Sequence, residues 1–314
     1  MRSARGSCAA RLVLAAVLGG AIAFGAIGCS QDSRRSEAST QPQQVDPRQS
    51  PRAGLASLEV RQLEVIESAQ DGRVLVGRAL PAPPQSSARL LFEPVLFDER
   101  GREAALPPVG RLQDARFAPL PSKLLALLDE HEILWLWDGS SPGAEQVDTG
   151  VFPGFDFSHA SDMLVYSKGV EPELDAWRLD LATRSRTQLT HDQEPVWGFA
   201  FSPDDKRIVY VGSQGGFPSL FTMGLDGTAR ARLTNRGVSD ASVLDETTLA
   251  PIPDGRRPPV WGAGAIYVEN AAGVHAIDAQ GRVVWSLPGA GQLHRGTVRD
   301  SILLRDGERL MRVP

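Results

Sequence analysis

Five histidines (His131, His159, His191, His275 and His294) and two cysteines (Cys8 and Cys29) are the side chains of this 314-residue chain best suited to metal or thiol chemistry. Their spacing does not organise them. No two histidines stand at i and i+4, the interval that puts two ligands on one helical face. Asp204 and Asp205 place two carboxylates side by side, but a dedicated calcium loop alternates its oxygen ligands. A proline directly before this pair reads instead as a turn. No G-x-S-x-G elbow, P-loop or dinucleotide fingerprint occurs. A formal charge of −5, with no basic stripe interleaved with aromatics, gives no support to nucleic-acid binding. No cofactor and no metal is expected.

Side chains that could recognise a partner are easier to find. Of six tryptophans, Trp135, Trp137, Trp177, Trp197, Trp261 and Trp285, Trp137 and Trp177 alternate with apolar residues and read as packing groups. Trp261 follows Pro258 and Pro259 in an irregular, proline-rich stretch and is the surface candidate. Glu171 and Glu173 in GVEPELD, and Gln214 in GSQGG, fall in two loops that could line a binding face.

The elements that position these residues begin after a processing segment. Arg2, Arg5 and Arg11 precede an uncharged run of seventeen residues, 12–28, short for a membrane span but adequate for a signal core. It ends in Ala-Ile-Gly-Cys29. Residues 30–54 are rich in Ser, Gln, Pro and Arg, have no apolar cluster, and cannot offset their ordering entropy by burial. The expected organisation is a signal peptide over 1–28, a disordered tether over 29–54 and a folded body over 55–314. Cleavage before Cys29 would remove three arginines and Cys8, taking the formal charge from −5 to −8. One cysteine would remain, which leaves no disulfide to staple the body.

That body repeats. Residues 155–190 align with 199–234 without a gap at an offset of 44. Phe155 falls on Phe199, Phe157 on Phe201, Ser158 on Ser202, Tyr166 on Tyr210, and Leu189-Thr190 on Leu233-Thr234. His159 then occupies the place of Pro203, a turn position rather than a ligand position. A looser copy lies at 117–139, with Trp137 in the place of Trp177 and Phe221. Each unit reads as four short strands, with Pro203-Asp204-Asp205 in one turn and Asp226-Gly227 in a tight hairpin. Sheets of this size bury their faces by radial stacking, at about 40–50 residues per blade. Blade boundaries fall near 63–110, 111–152, 153–194, 195–237 and 238–290. The remainder holds about three strands, and residues 57–65 supply a candidate fourth. The expectation is an all-β, six-bladed β-propeller whose N- and C-terminal strands close the last blade and remove its free edge.

Two resemblances are carried by quoted residues. Ala-Ile-Gly-Cys29 resembles the lipobox of bacterial lipoproteins, which implies an acylated Cys29 and attachment to a lipid bilayer. FSPDDKRIVYVGSQGGFPSLFTMGLDGTARARLT, 201–234, resembles the TolB-type propeller repeat, whose usual form is WSPDGKRIAF…LY..DLDG…RLT. TolB itself adds an N-terminal α/β domain and binds a peptidoglycan-associated lipoprotein; residues 30–54 leave no room for that domain. Residues 264–289 resemble the quinoprotein-type repeat of the BamB family, and the Asp-box of sialidases is absent. The resemblances imply a cell-envelope lipoprotein that holds an envelope protein or a peptidoglycan-associated partner and performs no chemistry. The alternative is a propeller enzyme or carbohydrate-binding protein with a site assembled from dispersed loops, and fold alone does not separate the two.

Overall fold

The computed structural model describes residues 63–82, 90–170, 172–191, 194–214, 217–234, 258–270, 273–288, 291–295, 302–306 and 309–313. Cys29, Glu171 and the whole of the signal and tether segments lie outside them. One compact unit of the chain runs from Glu64 to Pro314, and every regular element among its described residues is a strand.

The strands follow one another as antiparallel meanders. The first comprises β1 (Leu63–Ser68), β2 (Val74–Pro81), β3 (Leu90–Phe97) and the short β4 (Glu103–Ala104). The second comprises β5 (Leu112–Phe117), β6 (Leu125–Asp129), β7 (Ile133–Trp137) and β8 (Glu145–Thr149). A single bridge, Phe92 to Leu112, joins the two into one eight-stranded sheet. Three four-stranded sheets come next. They are β9 (Val151–Phe157) to β12 (Arg186–Gln188) through β10 (Met163–Val170) and β11 (Glu173–Asp180); β13 (Val196–Phe201) to β16 (Ala231–Arg232) through β14 (Arg207–Gln214) and β15 (Phe217–Gly224); and β17 (Val260–Trp261) to β20 (Val283–Pro288) through β18 (Ile266–Asn270) and β19 (Gly273–Ile277). A three-stranded sheet, β21 (Gly291–Arg295), β22 (Ile302–Asp306) and β23 (Arg309–Val313), ends the chain. The whole is an all-β fold of successive sheets resembling propeller blades.

The offset of 44 read from the sequence is the offset of the strands: β10 and β14, and likewise β11 and β15, share it at both ends. One expectation needs correction. Residues 63–65, assigned to a closing strand of the last blade, lie in β1, which runs beside β2 in the first sheet. Their alternating apolar pattern fits either location, so the pattern could not choose between them. Residues 57–62 fall outside the described residues.

Side-chain alternation explains the stacking. Successive residues of a strand point to opposite faces, so Leu164 and Tyr166 of β10 enter a core shared with β6, β7 and β8, while Val165 enters one shared with β13, β14 and β15. In β14, Ile208 and Tyr210 face back toward β10, and Val209 faces forward to Ile266 and Val268. Each central sheet therefore buries both faces, one against each neighbour. Phe155, Phe157, Phe199 and Phe201 are all fully buried in these inter-sheet cores.

Candidate partner-binding surface

The sheets have two ends, and their chemistry differs. At one end lie the turns between the first and second strands of each sheet, and these interlock. The Ser158 hydroxyl accepts the Asp162 and Met163 amides and donates to the Asp162 carboxylate. Ser202 does the same for Lys206, Arg207 and Asp204. Asp205, which follows, holds φ at +53°, a region that Asp tolerates better than most residues. Its carboxylate leaves its own turn. Oδ1 accepts the His159 amide at 2.8 Å and lies 2.9 Å from the His159 ring Nδ1, while Oδ2 accepts the Ala160 amide at 2.8 Å. The two acids of the pair thus divide, Asp204 capping its own turn and Asp205 clamping the preceding sheet. Ser161 Oγ donates to the Pro119 carbonyl, and Gln70 Oε1 accepts the Leu120 amide, extending the interlock across four consecutive meanders.

Further in, the first strands of adjacent sheets run side by side. The Gly154 amide donates to Asp114 Oδ2 at 2.8 Å, and the Phe201 amide to Asp156 Oδ2 at 3.1 Å. Arg116 spans Glu67 at 3.0 Å and Asp156 at 4.0 Å. Burial alone would weaken the proton affinity of this guanidinium, but the carboxylates of Glu67, Asp156 and Asp114 outweigh it and hold Arg116 charged. This is a stitched inner wall. Among the described residues no three His, Cys, Asp or Glu side chains converge on a metal-sized site. His275 is buried beside Ser286 Oγ, with its proton affinity lowered by burial, whereas His131 and His191 are exposed.

The other end carries the hairpins between second and third strands, and among the described residues three of them are long: β2, β10 and β14 each run for eight residues, against five in β6 and β18. From the residue opposite the end of the first strand, β10 and β14 continue for seven residues, where β6 and β18 continue for five. At about 3.3 Å per residue the longer hairpins reach roughly 7 Å further. Val170 and Glu173 close the β10–β11 hairpin as an opposed pair. Glu173 is exposed, and Val170 is 81% exposed. Gly169 makes the turn possible: its φ is +144°, and a Cβ there would lie 2.0 Å from the Glu173 carbonyl oxygen. In the adjacent sheet Gln214 ends β14 opposite Phe217.

Below the β10–β11 tip the hairpin is anchored through an ion cluster. Lys168 Nζ sits 2.6 Å from Asp148 Oδ1 and 5.4 Å above the Trp177 ring, and the Tyr166 hydroxyl donates to Asp148 Oδ2 at 2.7 Å. Burial pushes the Asp148 carboxyl up, but Lys168, Tyr166 and the Thr149 amide together hold it below the usual carboxylate range. Burial and the Asp148 charge push the Tyr166 hydroxyl well above its ordinary value. The nearest cation to the tip is therefore already bound, and the tip sequence Val170-Glu171-Pro172-Glu173 carries only negative charge.

The sequence-selected residues separate into two groups. Glu173 and Gln214 stand on neighbouring projecting hairpins. Trp261 stands at the opposite end of its sheet, where β17 turns into β18, half-buried against the cluster that includes Leu220, Leu233 and Ile266. Trp137 and Trp177 pack between sheets, as their alternation implied. Missed from the sequence were Asp205 as an inter-sheet clamp and the Glu67–Arg116–Asp156 row. The one visible signal was an aspartate where the TolB-type repeat has glycine.

No family model matches the chain. Among solved structures it is similar to a TolB-type protein of Agrobacterium tumefaciens at 14% identity and a TM-score of 0.50, over 80% of this chain and 90% of that one. It is similar to the hydrazine synthase of Kuenenia stuttgartiensis at 13% identity and a TM-score of 0.52, over 78% and 81% of the two chains. With the tricorn protease it shares 11% identity at a TM-score of 0.53, over 80% of this chain and only 29% of that one. At such identities the likeness is one of fold. Since these names span a protease, a synthase and TolB, the fold is common to them and their activities are not.

Proposed function

We propose that this chain is a non-enzymatic lipoprotein of the bacterial cell envelope whose propeller holds a protein partner. Residues 1–28 are the signal peptide, Cys29 is acylated and sits in the bilayer, residues 29–54 are the tether, and residues 55–314 are the propeller. Five meanders of four strands and a sixth of three support a six-bladed ring, with residues 57–62 supplying the missing strand. The basic start, the apolar run and Ala-Ile-Gly-Cys29 support the anchor.

The observation that carries the binding role is the neighbouring long hairpins β10–β11 and β14–β15 on a scaffold interlocked from the opposite end. A rigid base presenting raised, exposed tips suits recognition by shape and charge, and contact residues commonly sit on loops held by such a base. The partner is an envelope or peptidoglycan-associated protein. A photo-crosslinking residue at Val170 or Glu173 is expected to trap that protein in whole envelopes, while the same residue at Leu120, exposed on the interlocked end, is not. Adducts at Leu120 with none at Val170 and Glu173 would reverse the assignment of the binding face.

A further inference from the structure

The last strand of each meander lies on its rim, and three such strands are alike. β8 reads EQVDT, β12 RTQ and β16 AR. They are short and bear charged or polar side chains, the usual way an edge is kept from pairing with a stranger. Two are also covered from the neighbouring sheet: Arg186 reaches the Val147 carbonyl beside β8, and Arg230 reaches the Leu189 carbonyl just after β12.

The rim strand β20 breaks the pattern. It reads VVWSLP over six residues, longer than any of the other three. Val284 is 59% exposed and Trp285 37% exposed. Among the described residues, the only strand it pairs with is β19. The stretch 283–294 contains no Asp, Glu, Lys or Arg. Arg282, just before it, is compensated at home by Asp278, 2.7 Å away.

We propose that the β20 edge is a homotypic interface, on which the β20 strand of a second copy of this chain pairs antiparallel about a two-fold axis. The charge pattern selects that occupant. In an isologous pairing each patch meets its own kind, which a neutral apolar edge allows and a charged one forbids. A foreign strand, by contrast, would find no charge here to recognise. With the axis through Val284, each Trp285 stands opposite the other copy's Val283, an aromatic to β-branched pair of the kind that favours strand pairing. Arg282 of each copy then faces the neutral Ser286 instead of its like charge.

The test uses the full-length chain, extracted in detergent. A photo-crosslinking residue at Val284 is expected to give a band of twice the monomer mass composed of this chain alone, and the same residue at Val170 is not. In sedimentation equilibrium, Trp285→Lys should weaken self-association by about tenfold or more, while Val170→Lys leaves it unchanged. Both sites are exposed, so matching melting curves check that the variants fold. A chain that stays monomeric up to about 100 µM would overturn the proposal. So would a dimer that Trp285→Lys leaves intact, or Val284 adducts formed only with other proteins.

Discussion

At the scale of single residues, the fold is held by side chains that act beyond their own turn, and Asp205 is the clearest. A glycine there would relax the positive φ but lose the clamp on His159 and Ala160. Asp205→Gly therefore separates backbone strain from the inter-sheet bonds, and it should cost about 1–3 kcal/mol at neutral pH, since charge-assisted bonds from two amides are lost. Burial raises the Asp205 carboxyl, but the His159 ring and the His159 and Ala160 amides together hold it below its ordinary value. A depressed carboxyl stabilises the fold above its unfolded pKa, and that contribution disappears as pH falls through the folded pKa. Denaturation of the wild type and Asp205→Gly should consequently differ most at pH 7, with a gap that narrows progressively as pH falls below about 4; a gap that stays constant down to about pH 2 would assign the ionised carboxylate no role. The aromatic core is the companion case. Phe157 and Phe201 are both fully buried between sheets, so Phe→Ala at either should cost about 3–5 kcal/mol, and Phe→Leu less. A denaturation midpoint within error of wild type for both alanine variants would contradict the packing described. The burial of these two was legible from their place in an alternating, repeated strand. The clamp was not, because an aspartate in a turn looks the same whether it caps its own loop or reaches across to another.

At the scale of elements, the repeat made the spacing of strands readable, since a unit recurring at 44 sets the strands of one sheet at that offset from those of the next, but it did not fix where each strand begins and ends. The need for φ above zero at Asp226-Gly227 was readable as well, and Gly227 has φ +78°. What the sequence could not show is that this hairpin presses on the previous sheet. A Cβ on Gly227 would lie 2.2 Å from the Leu189 carbonyl oxygen, and one on Gly281, at φ +79°, would lie 1.7 Å from that of Leu233. Leu189 and Leu233 are repeat equivalents, so the same hairpin-to-rim contact is built twice. Alanine at either glycine combines left-handed strain with a clash against backbone, which has no flexible end to move aside. The expected cost is about 2–4 kcal/mol, above the roughly 1–2 kcal/mol for left-handed strain alone. Gly143, where an added Cβ meets nothing within 4 Å, serves as the control, and Gly143→Ala should stay within about 0.5 kcal/mol of wild type. Equal costs at Gly227, Gly281 and Gly143 in thermal melts would remove the contact from the account.

At the scale of the whole molecule, the proposal to test is that the successive sheets close into a ring. Reading 57–65 as one closing strand fails at residues 63–65, which belong to β1, and its remainder, 57–62, lies outside the described residues. Periodicity of two marks a strand but not its partner, which is why that boundary was invisible. The proposed closing strand is then residues 57–62, set beside the three-stranded last sheet. Two deletions from the mature chain test it. Removing 30–54 takes away a polar segment with no apolar cluster to bury, and it should leave melting unchanged. Removing everything through Gln62 keeps β1 whole, so any damage reports the loss of the closing strand and not of the first sheet. The last sheet would then present a bare edge and the ring would lose its join. Because stacked sheets draw stability from their neighbours, the loss should spread around the ring. The expected result is a Tm lower by roughly 5–10 °C, with light scattering that rises on heating as exposed edges pair between molecules. Equal melting of the two deletions would show that residues 57–62 belong with the tether, and that the sheets are held by the interlocked turns and the stitched first strands without a closing strand.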